Sequence, residues 1–389
     1  MDIRVIDSLE EFLACREAWD ALLASAENAS IFMSWEWNYH WWQHYSAKHS
    51  LRIVTAWKSD RLQGILPIYL EHSKIFKFYP LAVARFIGTG GDTSPDYLGP
   101  LLEPTTAGET IIALGGFIFD NIPEWQILHL SDLDVSSAFY AELANRCALL
   151  RYPQVTGLAT RIAYVTLPAT WSDYLAGLHR DRRNTVRRTR KKVESQHQGR
   201  FYVLTAEEDV DSILSNLIRL HHKRWKGHAE GHAFSTPEYN GFHHDVIHAC
   251  ARRGWIRFYC LEADGVLIAV FYCYRFRNQI FYFQAGFDPE YERLRPGLVL
   301  IGCALEHAIE EGNTAFDFLR GDHAYKTQWG KSLRETHALT TYRPGVAAFL
   351  FRMHKETIPG LKRLIKKALP FLDRNPHRTT VNAGKPKDV

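Results

Sequence analysis

The sequence predicts an α/β fold with mixed sheets, organised as two related domains in tandem. Three observations predict it. Residues 279–319 read as strand, loop, helix and strand in succession, which implies parallel strands joined by a right-handed crossover. Two hairpins, at 51–71 and 256–275, share one plan: a strand opening with Leu/Ile-Arg, a turn holding Asp, then an apolar strand. The chain has 389 residues, 46% apolar and 23% charged, an ordinary globular composition with length for more than one core. The expected division is a first domain at 1–165, a second at 166–345, and a basic amphipathic helix with a polar tail at 346–389.

In order, 1–6 reads as a strand. Ser8 caps a helix over 9–26, with Glu11 three residues on completing a capping box. Ser34 caps a Trp-rich helix that sets Trp37 and Trp41 on one face. Trp35 and Trp37 are read either as core or as the wall of a substrate cleft. The first hairpin follows. Residues 86–100 are rich in Gly, Asp and Pro without the spacing of a dinucleotide loop. There Asp92 and Asp96 stand either in a plain loop or as carboxylates at a cleft. A helix at 106–121, a strand at 125–130 and a helix at 136–150 precede the closing segment at 151–166. A helix beginning at Thr170 continues through a basic run. Between Arg180 and Lys192 stand eight Lys/Arg and one acid, either a solvated surface or a platform for a phosphate-bearing partner such as RNA or an acidic carrier. No aromatics interleave, which argues against base stacking. A strand at 201–204, a helix at 207–225 and the second hairpin lead to the central unit.

In that unit Gln279–Phe287 is dense in aromatics. Leu298, Ile301, Leu305, Ala308 and Ile309 give the next segment one apolar helical face, and Gly312-Asn313 stops it. Arg293, Arg295 and the amides around Gly297 converge on the first helical turn. Fixed N–H groups, the helix dipole and two guanidinium groups suit a pyrophosphate; the other reading is a solvated loop. A last strand is expected at 337–342. Beyond it, 349–372 is basic and amphipathic, suited to packing on the domain or lying on an anionic membrane.

Six cysteines are scattered with no CxxC pair, which fits reduced, buried thiols better than a disulfide framework. Net charge is only +4, which does not by itself suggest a nucleic-acid binder. No charged-then-apolar leader opens the chain and no apolar run nears membrane length, so a cytoplasmic monomer or dimer is expected. Seven histidines lie between His221 and His248. His228 with His232, and His244 with His248, have the spacing of helical metal ligands, but no HExxH occurs and no Cys or carboxylate completes a set. No metal is expected.

Four segments carry a resemblance: LHHKRWKGHAEGHAF from Leu220, IRFYCLEADGVLIAVFY from Ile256, FQAGFDPEYERLRPGLVL from Phe283, and DFLRGDHAYKTQWG from Asp317. Together they resemble the GNAT acyltransferases, in particular the CelD-like branch associated with cellulose and exopolysaccharide synthesis. The arrangement is also similar to the FemABX aminoacyltransferases, which carry two GNAT-like domains. The usual Gln/Arg-x-x-Gly-x-Gly/Ala pyrophosphate signature is replaced here by Arg293-Leu294-Arg295-Pro296-Gly297-Leu298.

The resemblance implies tandem GNAT-like domains and transfer of an acyl group from acetyl-CoA, or a longer acyl-CoA, to a small amine or amino-sugar. Strands 279–287 and 314–319 would splay around the pantetheine arm, with amides from Phe283, Gln284, Ala285 and Gly286 holding the thioester. Asp317 and His323 are candidate bases, with His323 preferred for its near-neutral titration. Tyr325 is a candidate acid, and Lys326 would neutralise a phosphate or carboxylate. Arg224 and Trp225 join Trp35, Trp37, Asp92 and Asp96 as substrate residues. The resemblance leaves two rivals: a Fem-like transferase using aminoacyl-tRNA, held by the basic run, and a non-catalytic accessory protein of polysaccharide synthesis.

Overall fold

The computed structural model describes residues 1–226, 233–330 and 332–353. The first half contains β1 (Asp2–Ile6), α1 (Leu9–Ala14), α2 (Arg16–Ser25), α3 (Trp35–Tyr45), β2 (His49–Leu51), β3 (Ile53–Lys58), β4 (Arg61–Leu66) and β5 (Ile68–Ile75). It continues with β6 (Tyr79–Phe86), β7 (Leu101–Leu102), α4 (Ala107–Asn121), β8 (Ile127–Leu133), α5 (Ala138–Leu149) and β9 (Gln154–Thr166). The second contains α6 (Trp171–Gly177), α7 (Arg180–Gln196), β10 (Arg200–Leu204), α8 (Val210–Trp225), α9 (Pro237–Arg252), β11 (Ile256–Ala263) and β12 (Val266–Phe276). It ends with β13 (Gln279–Phe287), α10 (Pro296–Glu310), β14 (Ala315–Arg320), α11 (Ala324–Thr327), β15 (Ser332–Tyr342) and α12 (Val346–Arg352).

Local chemistry sets these limits. The Ser8 hydroxyl accepts from the Glu11 amide at 3.3 Å, so the expected cap forms, but the Glu11 carboxylate accepts from the Asp7 amide and the Ser8 hydroxyl, one residue short of the expected capping box. The single helix expected over 9–26 is instead two, parted at Cys15. Ser34 accepts from the Trp37 amide at 3.2 Å and starts α3 as expected. The two hairpin turns hold Asp60 and Asp264 at positive φ, a conformation Asp tolerates. Gly312 at φ 76° closes α10.

Eleven strands form one mixed sheet in the order β10-β11-β12-β13-β14-β9-β15-β8-β6-β5-β2, and four form an antiparallel sheet, β1-β3-β4-β7. The crossover unit is as expected: β13 and β14 are parallel, linked by α10. The first half repeats it with β6, α4 and parallel β8. Pro67 sits between β4 and β5, and its missing N–H interrupts the ladder there.

Two domains, each with its own mixed sheet, are what the sequence leads one to expect; the strands divide otherwise. A second sheet does lie in the first half, but the halves share the larger one. β9 pairs antiparallel with β14 of the other half, β15 pairs antiparallel with β8, and β9 and β15 pair with each other from Ser332↔Tyr164 to Thr341↔Gln154. Each half thus completes the sheet of the other. One apolar core, including Trp19, Trp37, Leu114, Val246 and Tyr274, spans both halves; a second packs α10 against β11–β14.

All six cysteines are buried and unbridged. Among the described residues no helix is long and apolar enough to cross a membrane. α12 packs Ala348 against Ile75, Leu81 and Val83. The remainder of the basic amphipathic segment and the polar tail lie outside the described residues, as do His228 and His232.

Candidate active site

The site grows from a fork. β13 and β14 pair only from Gln279↔Ala315 to Phe281↔Asp317. At this point the β12–β13 ladder shifts register, leaving Phe283 as the extra residue between Tyr282 and Gln284. Beyond the fork the Ala285 amide donates to the Gln284 side-chain carbonyl at 3.0 Å. Gly286 lies under α8: a Cβ there would stand 2.8 Å from the Leu217 carbonyl and 2.9 Å from the His221 amide nitrogen, so only Gly permits this approach.

Asp317 ends the paired stretch and is fully buried. Its carboxylate accepts from the Tyr97 hydroxyl at 2.5 Å, the Leu319 amide at 2.8 Å and Arg334 at 3.3 Å. Burial pushes Asp317 up to about 6, against the pull of those donors. Burial beside that carboxylate also drives the Tyr97 phenol up. Tyr97 and Arg334 open onto a groove of about 750 Å³, whose walls also include Met33, Leu98 and Thr336.

Two more expected residues meet beside it. Asp96 accepts from the Arg320 amide at 2.8 Å, and the Arg320 guanidinium reaches both Asp96 (3.4 Å) and Asp132 (2.5 Å). Burial raises Asp96 to about 7. Lys326, 5% exposed, donates to the carbonyls of Phe318 (2.8 Å), Leu319 (3.1 Å) and Arg320. Burial lowers it to about 8. The Lys326 donors thus hold the kinked end of β14, where Leu319 takes φ 53°, and are not free as expected of a group that neutralises a substrate charge.

On the other flank, Arg295 takes the left-handed conformation (φ 51°) and starts α10 with no side-chain cap. Pro296 has no amide, and Val299 bonds back to Arg295, so the amides of Gly297 and Leu298 face the helix entrance. Arg293 and Arg295 are exposed there. Arg182 of α7 stacks on Trp329 at 4.4 Å, close enough to Arg295 for the two charges to repel. Phe287, Tyr291, Leu298 and Tyr325 are half-buried along the second core. Tyr325 hydrogen-bonds Tyr282 and is raised by burial, with Arg224 opposing. Arg224 itself lies over Phe287 at 4.4 Å and over Trp225 at 5.5 Å.

Other expectations fall away from this constellation. His323 is exposed at the start of α11, its ring parallel to Tyr325 with centroids 6.1 Å apart. Trp35 and Trp37 are 4% and 0% exposed, so neither walls an open cleft. Trp35 stacks on Tyr39, and Trp37 packs edge-on against Phe242 and Phe283. Asp92 has both oxygens engaged, by Tyr45 at 2.5 Å and by Thr236, and so pins α3 to the start of α9. Asp132 and Arg334 are additions that no local sequence pattern marked, whereas Arg182 stood in the basic run and Arg320 in the segment beginning at Asp317. Tyr97 also carried a signal, standing next to Asp96 in the Gly/Asp/Pro loop.

Residues 180–327 match the family described as acetyltransferase (GNAT) domain. No curated protein matches the chain. Among solved structures, FemX is similar with a TM-score of 0.58 and 13% identity, over 87% of this chain and 97% of that one. The C-terminal domain of a putative lysylphosphatidylglycerol synthetase from Agrobacterium fabrum is similar with a TM-score of 0.52 and 11% identity, over 89% and 96%. A conserved protein of unknown function from Bacteroides thetaiotaomicron follows at 0.51 and 12%, over 88% and 100%. At these identities the likeness is one of fold, and the fold is mixed α/β, with the GNAT-domain match confined to residues 180–327 of the second half.

Proposed function

We propose that this chain is an N-acyltransferase that moves an acyl group from a coenzyme A thioester to an amine. The observation that carries the reading is the fork between β13 and β14, which ends on the buried Asp317–Tyr97 pair. The pantetheine arm runs between the splayed strands beside Phe287, Leu298 and Tyr325, and the thioester carbonyl takes the Ala285 amide in place of the Gln284 side chain. The pyrophosphate meets Arg293, Arg295 and the amides of Gly297 and Leu298.

The acceptor, a small amine or amino-sugar, enters by the groove at Tyr97 and Arg334. As its nitrogen attacks the thioester carbon, its proton passes to the Tyr97 oxygen while Tyr97 hands its own to Asp317. The carbon–sulfur bond breaks and the thiolate takes a proton from Tyr325. With its carboxyl raised to about 6, Asp317 is ionised at neutral pH yet basic enough to accept. It therefore replaces His323 as the preferred base. Envelope or exopolysaccharide synthesis in the cytoplasm is the setting that the sequence resemblance suggests.

A second reading has one observation in its favour. The face of α7 lines a groove of about 780 Å³ with Arg187, Arg188, Lys191 and Lys192, and α7 packs on α10, whose first turn is the donor site. A polyanionic donor such as an aminoacyl-tRNA suits that face. Thermal denaturation of the chain with acetyl-CoA, longer acyl-CoAs and aminoacyl-tRNA decides between the donors, because a ligand of the folded state raises Tm. A rise with acyl-CoA alone supports the first reading; a rise with tRNA alone overturns it.

A further inference from the structure

We propose that Asp211, His244 and His248 form a binding site for a divalent transition metal of the zinc class, on the outer face of the second half. Asp211 lies in the first turn of α8, and His244 and His248 are one turn apart on α9. Their ligand atoms all fall within 4.8 Å of one another. The Asp211 Oδ1 is 3.3 Å from His244 Nε2 and 2.9 Å from His248 Nε2. A tetrahedral ion with bonds of about 2.0–2.1 Å sets its ligands roughly 3.3 Å apart, so two edges of the tetrahedron are already near their final length.

The second ring nitrogens supply an independent argument. His244 Nδ1 lies 2.8 Å from Asp245 Oδ1, and His248 Nδ1 lies 3.4 Å from Glu207 Oε1. A neutral imidazole has one N–H and one lone pair. In the tautomers that direct each N–H at its own carboxylate (Glu207 Oε1 also accepts from Arg252), each Nε2 turns a lone pair toward Asp211 Oδ1, which is itself an acceptor. Three acceptors facing one point are satisfied by a cation, and a carboxylate behind each histidine is the outer shell that orients imidazole ligands. Two imidazoles and one carboxylate favour zinc, cobalt, nickel or copper over magnesium or calcium, which take oxygen donors. Asp211 and His244 are exposed, so solvent supplies the fourth ligand.

Asp245 extends the arrangement, because its Oδ2 meets His44 Nε2 of α3 at 2.7 Å. The ion would thus tie α8 to α9 and, through Asp245, to the first half. The test uses the full untagged chain, stripped with chelator and titrated with zinc chloride by calorimetry and by native mass spectrometry. One zinc per chain with a raised Tm is expected, and Asp211→Asn and His248→Gln should each weaken binding at least tenfold. Glu207→Gln, one shell out, should weaken it by roughly tenfold to a hundredfold. Asp211 is exposed and Glu207 and His248 are half-buried, and circular dichroism checks that each variant folds. Absence of zinc uptake overturns the proposal, and so does uptake that both ligand variants leave unchanged.

Discussion

The hydroxyl of Tyr97 donates to the Asp317 carboxylate at 2.5 Å, joining a loop of the first half to the strand fork of the second across 220 positions of sequence. If the amine proton travels this way, Asp317→Asn should lower kcat by roughly 10²–10⁴-fold with acyl-CoA affinity nearly intact. The acid limb of the wild-type kcat/KM profile should fall near pH 6 and vanish in the variant. Tyr97→Phe should lose activity too, whereas His323→Ala should keep it. Steady-state kinetics against pH checks all three, and a full loss with His323→Ala alone would return the base to α11.

Arg293→Ala and Arg295→Ala should each weaken acyl-CoA binding by about 1–3 kcal/mol, the range for a charge-assisted contact. The loss should shrink as salt rises, since both side chains are exposed. Calorimetry at two ionic strengths reads both effects; unchanged binding in the double variant would move the phosphate site elsewhere.

Gly286→Ala should lower stability by about 1–3 kcal/mol, because the new methyl meets backbone atoms of α8 that have no rotamer to yield. A lowered Tm with the fold retained is expected. An unchanged Tm would show that α8 can lift from β13 without cost.

The pH dependence of stability has two parts of opposite sign. Folded Asp317 and Asp96 keep protons, up to about pH 6 and about pH 7, that the unfolded chain has released from about pH 4. Their contribution therefore falls as pH rises through that interval. Folded Lys326 loses its proton near pH 8, while the unfolded chain holds it to about 10.5, so its contribution improves as pH rises across that range. Urea denaturation from pH 4 to 10 should show the first slope diminished in Asp96→Asn and the second absent in Lys326→Met. Slopes identical to the parent in both variants would refute the assignment.

Much of the fold could be read locally, because periods of two and 3.6, Ser34, Ser8 and Gly312 act on their own neighbours. The β13–α10–β14 unit and both hairpins follow from such signals. The shared sheet does not, since β9 and β15 would be the same strands whichever half they joined. The site divides the same way. Asp317 and the α10 entrance lay in a contiguous segment and could be named. Arg334 and Tyr97 reach Asp317 only through tertiary folding, and nothing near Trp37 states that α9 will cover it. Asp211 completes the His244–His248 set from 37 positions before His248, beyond any spacing rule for a single helix.

The placement of β15 between β9 and β8 has a consequence for synthesis on the ribosome. Until residues 332–342 have left the exit tunnel, the strands made so far form two unjoined sheets whose inner edges, at β8 and β9, are open. The same late strand carries Arg334 to Asp317. A nascent chain must therefore shield the open edges of β8 and β9 until β15 emerges, and the surroundings of Asp317 are completed in a single closing step rather than half by half. Chaperone dependence during translation, and insolubility of fragments that stop short of β15, are the cellular signs of that order of assembly.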